Sequence, residues 1–232
     1  MKSLAARALL GLLWLLHWLP LSLQAALGSA LGRVLYTVAR ERRRIAARNL
    51  QLCLPGLPAK QRRDLLRRHF CWLGRSAVER ALLWYASPAR LRRLIQVEGD
   101  VHFAERSERP VMWLVPHFLA LDVAGVATQL FQTRPVASVY QAQSDAVFEA
   151  AMRRGRSRFG QGALFTRQDG ARPLVRAIRR GHAFFNLPDM DFGLKDSAFV
   201  PFFGIPAATL LSPSKLARAS SSGGHGRSES WR

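Results

Sequence analysis

A histidine stands five residues ahead of an aspartate in Val111-Met112-Trp113-Leu114-Val115-Pro116-His117-Phe118-Leu119-Ala120-Leu121-Asp122. Imidazole as a class changes charge near neutral pH, and a carboxylate beside it fixes its orientation. The two together are a candidate general base. That chemistry needs a break in the chain between them. On one continuous helix, five steps of about 100° would leave the side chains about 140° apart, on different faces. The apolar run 111–115 suits a buried strand, which Pro116 ends. His117 then falls on the turn and Asp122 in the first turn of a helix, from which the carboxylate can fold back onto the imidazole. Without a catalytic role, His117 is a loop histidine and Asp122 a helix-start acid favoured by the dipole.

Two further segments carry candidate chemistry. Gly160-Gln161-Gly162-Ala163-Leu164-Phe165-Thr166-Arg167 reads as a strand delivering an arginine to its carboxyl end. A guanidinium there suits phosphate or carboxylate through paired hydrogen bonds, although arginine is abundant throughout the chain. Leu187-Pro188-Asp189-Met190-Asp191-Phe192-Gly193 follows another apolar run. Its acids can bind an arginine, orient a substrate hydroxyl, hold a cation, or simply shape a turn. A metal site would require His117, His182, Asp189 and Asp191 to converge, and their spacing matches no recognised ligand pattern; no metal or cofactor is expected. Phe199-Val200-Pro201-Phe202-Phe203-Gly204-Ile205-Pro206 suits the mouth of an acyl groove or an edge strand.

The elements that must position these groups follow from periodicity. Strands are expected at Ile95–Val97, Val111–Val115, Pro135–Val139, Ala163–Phe165 and Ala183–Leu187, and helices at Leu121–Phe131, Asp145–Phe159 and Ala171–Arg179. The alternation predicts an α/β fold with a mainly parallel or mixed sheet and flanking helices. Ahead of it, helical stretches are expected at Val34–Leu52 and Ala59–Tyr85, with Arg62, Arg63, Arg67 and Arg68 on a face turned toward anionic lipid. Leu4–Leu31 is largely apolar and is flanked by Lys2 and Arg7 before it and by Arg33, Arg40, Arg42, Arg43 and Arg44 after it. Those arginines argue against export, so residues 1–32 read as a membrane anchor, spanning or in-plane, with a cytoplasmic flank. Residues 33–219 form the main domain. The Ser/Gly/Arg-rich residues 220–232 lack apolar periodicity and read as disordered.

Composition bounds the partners. The 232 residues carry a formal net charge of +20 with 49% hydrophobic content, enough for a real core and strongly attracted to polyanions. No recognised nucleic-acid motif accompanies the charge, and the apolar amino terminus favours an anionic membrane over nucleic acid. Two cysteines without C-x-x-C spacing support neither a disulfide framework nor a zinc site.

Taken together, Arg44-Ile45-Ala46-Ala47-Arg48-Asn49-Leu50, His117 to Asp122, Gly162 to Arg167, Asp189 to Gly193 and Val200-Pro201-Phe202-Phe203-Gly204 resemble the bacterial lipid A late acyltransferases. These are the lauroyl and myristoyl transferases of lipopolysaccharide assembly, within the H-x-x-x-x-D superfamily that includes the glycerophosphate acyltransferases. The resemblance implies catalytic roles for His117 and Asp122, and substrate-binding roles for Arg167 and Asp189. It also implies an acyl carrier protein donor, a lipid A precursor acceptor, and a place at the cytoplasmic side of the bacterial inner membrane. Family members usually continue beyond the position of Arg218, so the carboxyl end reads as a truncation or frameshift that leaves sheet edges exposed. Two alternatives follow: an inactive relative acting only as a basic membrane-surface protein, or a glycerolipid acyltransferase.

Overall fold

A computed structural model describes residues 2–160, 162–190, 193 and 196–221. Four parallel strands form its sheet: β1 (Met112–Leu114), β2 (Val136–Tyr140), β3 (Ala163–Thr166) and β4 (Ala183–Asn186), in the spatial order β1-β4-β2-β3. The crossovers between them are α7 (Leu121–Leu130), α8 (Ala146–Arg156) and α9 (Ala171–Arg179). β4, last of these four in the chain, lies between β1 and β2. Alternation sends Met112, Ala137, Phe165 and Phe184 to one face, where they pack against Leu174, Ala177 and Ile178 of α9. Tyr140 and Leu164 point to the other face, toward Val126 of α7, Met152 of α8, and Ala81, Leu82 and Trp84 of α4 (Ala59–Tyr85).

The local signals explain several of these elements. The Asp145 carboxylate accepts from the Val147 and Phe148 backbone N–H groups at 3.0 and 2.9 Å and starts α8, while Arg153, Arg154 and Arg156 suit the negative end of its dipole. Ser87 caps the short helix α5 (Pro88–Leu94), which has proline in its first turn. A further short helix, α6 (Phe103–Arg106), leads toward β1.

Three expectations are corrected. The apolar stretch 4–31 is not one helix: α1 (Lys2–Leu16) and α2 (Leu21–Val38) are separated at Pro20, which lacks an N–H to continue α1. Arg90 closes the gap by donating to the His17 and Leu19 carbonyls at 2.5 and 2.6 Å, and the Gln24 amide adds a 3.0 Å bond to Leu19. Among the described residues no helix is long and apolar enough to cross a membrane, so the transmembrane-helix expectation does not hold. At 18 residues α2 reaches about 27 Å, short of the roughly 30 Å hydrocarbon core. Second, the basic stretch 34–52 breaks at Ala39 (φ −84°, ψ 61°), and α3 (Arg40–Cys53) begins beyond it. Third, Ile95–Val97 forms no strand. Ile95 instead caps the carboxyl end of α5, its N–H bonded to the Leu91 carbonyl.

α2 packs along α4 at very close range. Gly28 faces Gly74 and Arg75, and a Cβ on Gly28 would lie 2.5 Å from the Arg75 Cα and 3.0 Å from the Gly74 carbonyl oxygen. Only the missing side chain lets the two backbones approach this far.

The segment 199–206 forms a separate antiparallel hairpin, β5 (Ser197–Phe202) with β6 (Ile205–Leu210), in which Pro201 faces Pro206. Phe199, Val200, Phe202 and Phe203 are exposed. A final helix, α10 (Ser212–Ser221), packs on α9. From residue 222 onward the expected disordered tail lies outside the described residues, as do Asp191 and Phe192.

Candidate active site

In parallel α/β sheets, reactive groups collect outside the carboxyl ends of the strands. Here β1 and β4 are neighbours in a register that pairs Leu114 with Asn186. The Val115 N–H continues the ladder to the Asn186 carbonyl at 2.8 Å. Each strand then runs into a proline, Pro116 or Pro188, and each proline is followed by a polar residue. His117 and Asp189 therefore stand three residues beyond paired positions, and they meet.

Their contact is two-pronged. The His117 backbone N–H donates to Asp189 Oδ2 at 2.7 Å, and His117 Nδ1 lies 2.7 Å from Asp189 Oδ1. The Phe118 N–H closes a three-residue turn onto the Pro116 carbonyl at 2.7 Å, with His117 at its centre. Burial pushes the Asp189 carboxyl up, but the side-chain and backbone bonds from His117 outweigh it and hold the group below the usual carboxylate range. An ionised Asp189 can only accept, so Nδ1 is the donor in this contact, and in the neutral imidazole Nε2 is then the nitrogen with a lone pair. The His117 and Asp189 side chains are 37% and 39% exposed, so the pair is open to solvent. Leu114 at the end of β1, and Phe118 and Met190 from the two loops, are exposed apolar residues beside the pair's elements.

Asp122 is placed elsewhere than the spacing suggested. It does begin α7, but its oxygens are taken by arginines. Arg80 Nε of α4 lies 2.9 Å from Oδ2, and Arg156 of α8 donates from Nε and Nη2 to Oδ1 at 3.2 and 2.9 Å. Burial raises the Asp122 carboxyl, and the two guanidinium charges more than reverse this, leaving it below its ordinary value. The carboxylate on the imidazole is thus Asp189, 72 residues away in sequence, and not Asp122.

Arg167 opens a 3-10 turn (Arg167–Asp169) at the carboxyl end of β3. The Asp169 carboxylate accepts from the Thr166 N–H and hydroxyl at 2.6 and 2.9 Å, and Gly170 ends the turn at φ 72°. Arg167 is exposed. Its strand is the far edge of the sheet, three interstrand steps or about 14 Å from β1. It shares the sheet's carboxyl-terminal rim with His117 but not its immediate surroundings. Residue spacing offered no route to Arg80 and Arg156, which the fold brings to Asp122 from two separate helices. Among the described residues no group of three His, Cys, Asp or Glu side chains is placed to hold a metal ion.

The chain is thus a parallel α/β protein with a carboxylate-bound histidine at the carboxyl-terminal rim of its sheet, and comparison gives the family. The sequence profile of the bacterial lipid A biosynthesis acyltransferases matches residues 3–223, and the chain belongs to that family. It is 32% identical over 198 residues to the lipid A biosynthesis palmitoleoyltransferase of Escherichia coli K12, covering 84% of this chain and 63% of that protein. It is 29% identical over 214 residues to the lauroyltransferase of the same organism, covering 91% and 69%. With the E. coli myristoyltransferase it shares 30% over 188 residues, covering 80% and 58%. The chain thus spans 63% of the length of the first of these relatives.

Proposed function

We propose that this protein is a membrane-associated O-acyltransferase of lipid A biosynthesis. The observation that carries the reading is the imidazole held by Asp189 through its Nδ1 and backbone N–H, with a side chain 37% exposed. In the proposed reaction Nε2 takes the proton of an acceptor hydroxyl while its oxygen attacks a thioester carbonyl. The new C–O bond gives a tetrahedral oxyanion. Collapse breaks the C–S bond, and the imidazolium returns its proton to the departing sulfur. Asp189 stabilises the transient imidazolium, so no acyl-enzyme on a side chain is required.

The donor is proposed to be acyl carrier protein, whose acidity suits a chain of net charge +20. The acceptor is a lipid A precursor, with Arg167 holding an anionic group from the sheet rim. Exposed Leu4, Leu12, Trp14, Leu15 and Trp18 on and just after α1, with Leu27, Val34 and Val38 on α2, support an in-plane seat on an anionic bilayer. The proposed location is the cytoplasmic face of the bacterial inner membrane, and the proposed architecture is glycerophosphate-acyltransferase-like. In the test, purified full-length protein receives an acyl thioester and a panel of lipid A precursor and glycerolipid acceptors. The wild type is expected to acylate the lipid A precursor, and His117→Ala to lose turnover while keeping its fold and vesicle binding. Equal turnover in the two would refute the role of His117, and transfer only to glycerolipid would refute the acceptor.

A further inference from the structure

The last residue of β4 carries a polar side chain with nothing to bond. Asn186 follows Ala183, Phe184 and Phe185, all buried, and is itself only 8% exposed. Its backbone is used: the carbonyl accepts from the Val115 N–H at 2.8 Å. Its side-chain Nδ2 is buried and has no hydrogen-bond partner. Gln24, Arg75 and Gln129 also hold a buried atom in that condition, but each of these side chains is engaged through another contact. Gln24 Nε2 donates to the Leu19 carbonyl at 3.0 Å, and Gln129 Nε2 donates to the Gly125 and Arg156 carbonyls, each at 2.8 Å. Arg75 stacks over Trp72, its Cζ 4.0 Å from the ring centroid. Among the described residues no hydrogen bond reaches the Asn186 side chain at either end.

A buried donor without a partner costs stability, and an apolar side chain of like shape would relieve the cost. A polar group kept in that condition calls for a use, and its position suggests one. Asn186 stands opposite Leu114 in the ladder. Three residues of chain, at most about 11 Å, separate Asn186 from Asp189, and the same span separates Leu114 from His117. The orphan donor and the Asp189–His117 contact therefore share one corner of the sheet's rim. The terminal torsion of asparagine is broad, so the amide turns toward the rim without backbone movement. A neutral donor also suits this corner. A guanidinium or ammonium here would bond the ionised Asp189 strongly and draw it from the imidazole, whereas a carboxamide competes far less.

We infer that Asn186 is a further catalytic residue, whose amide N–H donates to the carbonyl oxygen of the acyl thioester. This rests on the reading of the site as an acyltransferase with His117 as its base. As the acceptor oxygen bonds to the carbonyl carbon, the C=O π pair moves onto the carbonyl oxygen. Asn186 bonds the resulting oxyanion and keeps both of its own protons. When the pair returns to re-form the carbonyl, the C–S bond breaks and the contact with Asn186 weakens again. The donor thus acts most strongly where charge develops, so its loss falls on kcat more than on KM. His117 moves the proton, and Asn186 holds the charge.

The experiment uses the detergent-solubilised full-length chain with the variants Asn186→Leu and Asn186→Ala. The readouts are Tm, kcat and KM for acyl transfer to the lipid A precursor, and the infrared carbonyl band of a bound inert donor. That donor is a long-chain acyl pantetheine ketone, with CH2 in place of the thioester sulfur and an isotope label on the carbonyl carbon. Asn186→Leu should hold or raise Tm, because it removes the orphan donor. It should lower kcat by about 10²–10³-fold, as loss of one oxyanion donor does, with KM nearly unchanged. The ketone band should lie at lower wavenumber on the wild type than on either variant. An unchanged kcat would overturn the inference, as would the same band on all three proteins. A lower Tm with kcat and band unchanged would make Asn186 a packing residue only. Should leucine prevent folding, Asn186→Ala removes the same donor and decides by kcat and band. Retained turnover in His117→Ala would defeat the reading of the base alone, since the ketone band reports Asn186 without turnover.

Discussion

Gly28→Ala tests the close packing of α2 against α4. The added Cβ would sit 2.5 Å from the Arg75 Cα and 2.9 Å from its backbone nitrogen, where ordinary contact begins at 3.4 Å. The deficit is 3.4 − 2.5 = 0.9 Å, and the atoms in the way are backbone, which cannot rotate aside. α2 must therefore move off α4 by nearly an ångström. A gap of roughly 0.5–1 Å forfeits about a quarter to a half of the dispersion well for every atom pair it separates, and overpacking of this kind typically costs about 1–3 kcal/mol. Alanine's better helix propensity returns at most about 1 kcal/mol. Because the obstructing atoms are backbone, the upper part of that range, about 2–3 kcal/mol, applies, and the net expectation is a loss of about 1–2 kcal/mol, or a Tm lower by roughly 2–8 °C for a chain of this size. Gly11 supplies the control: it lies in α1 with nothing within 4 Å of its would-be Cβ, so Gly11→Ala should hold or raise Tm. The assay is thermal unfolding of both variants in one detergent, followed by circular dichroism. A Gly28→Ala protein as stable as the wild type would refute the close-approach argument, and with it the premise that α2 fixes the seat of α4.

Two further expectations concern pH and lipid. The Asp189 carboxyl is depressed in the folded chain, so its contribution to stability is present above the ordinary carboxylate range and is lost as pH falls through its lower folded value. Asp189→Asn should therefore show a lower urea midpoint than the wild type at pH 7, and the difference should shrink steadily below about pH 4; a constant difference down to the acid limit would contradict this. Trp14 and Trp18 are 49% and 66% exposed, so tryptophan emission should shift to shorter wavelength on adding anionic vesicles, and Leu12→Ser/Leu15→Ser should weaken the shift. An unchanged spectrum would exclude the in-plane seat.

The sheet was largely legible in the sequence because each buried strand is a short apolar run followed by a turn signal. The runs at 111–115, 135–139, 163–165 and 183–187 each contain or nearly coincide with a strand, and the helix expected at Ala59–Tyr85 is α4. Ile95–Val97 has the same apolar character, but its first residue serves the end of α5, a demand periodicity does not register. The amino-terminal break was foreshadowed by Pro20, yet the composition of 4–31 concealed that Arg90, 73 residues beyond His17, would satisfy the freed carbonyl. The site divides in the same way. His117 could be found from its local pattern. Its partner could not, because spacing in sequence says nothing about which strands are neighbours. The one hint was the parallel form of Leu114-Val115-Pro116-His117 and Asn186-Leu187-Pro188-Asp189, which becomes informative only once β1 and β4 are known to be adjacent.

The strand order also bears on how the molecule comes into being. As the chain emerges during synthesis, the segments that become β1 and β2 have no direct ladder to each other, and the slot between them stays empty until residues 183–186 arrive. Insertion of that late segment completes the backbone bonding of the sheet and, three residues on, delivers the acid to the waiting imidazole. Completion of the sheet and arrival of the carboxylate beside the imidazole are thus coupled through one long-range strand pairing, the kind that loop-closure entropy makes slow. A nascent chain halted before Asp189 would hold the imidazole without the carboxylate that contacts it.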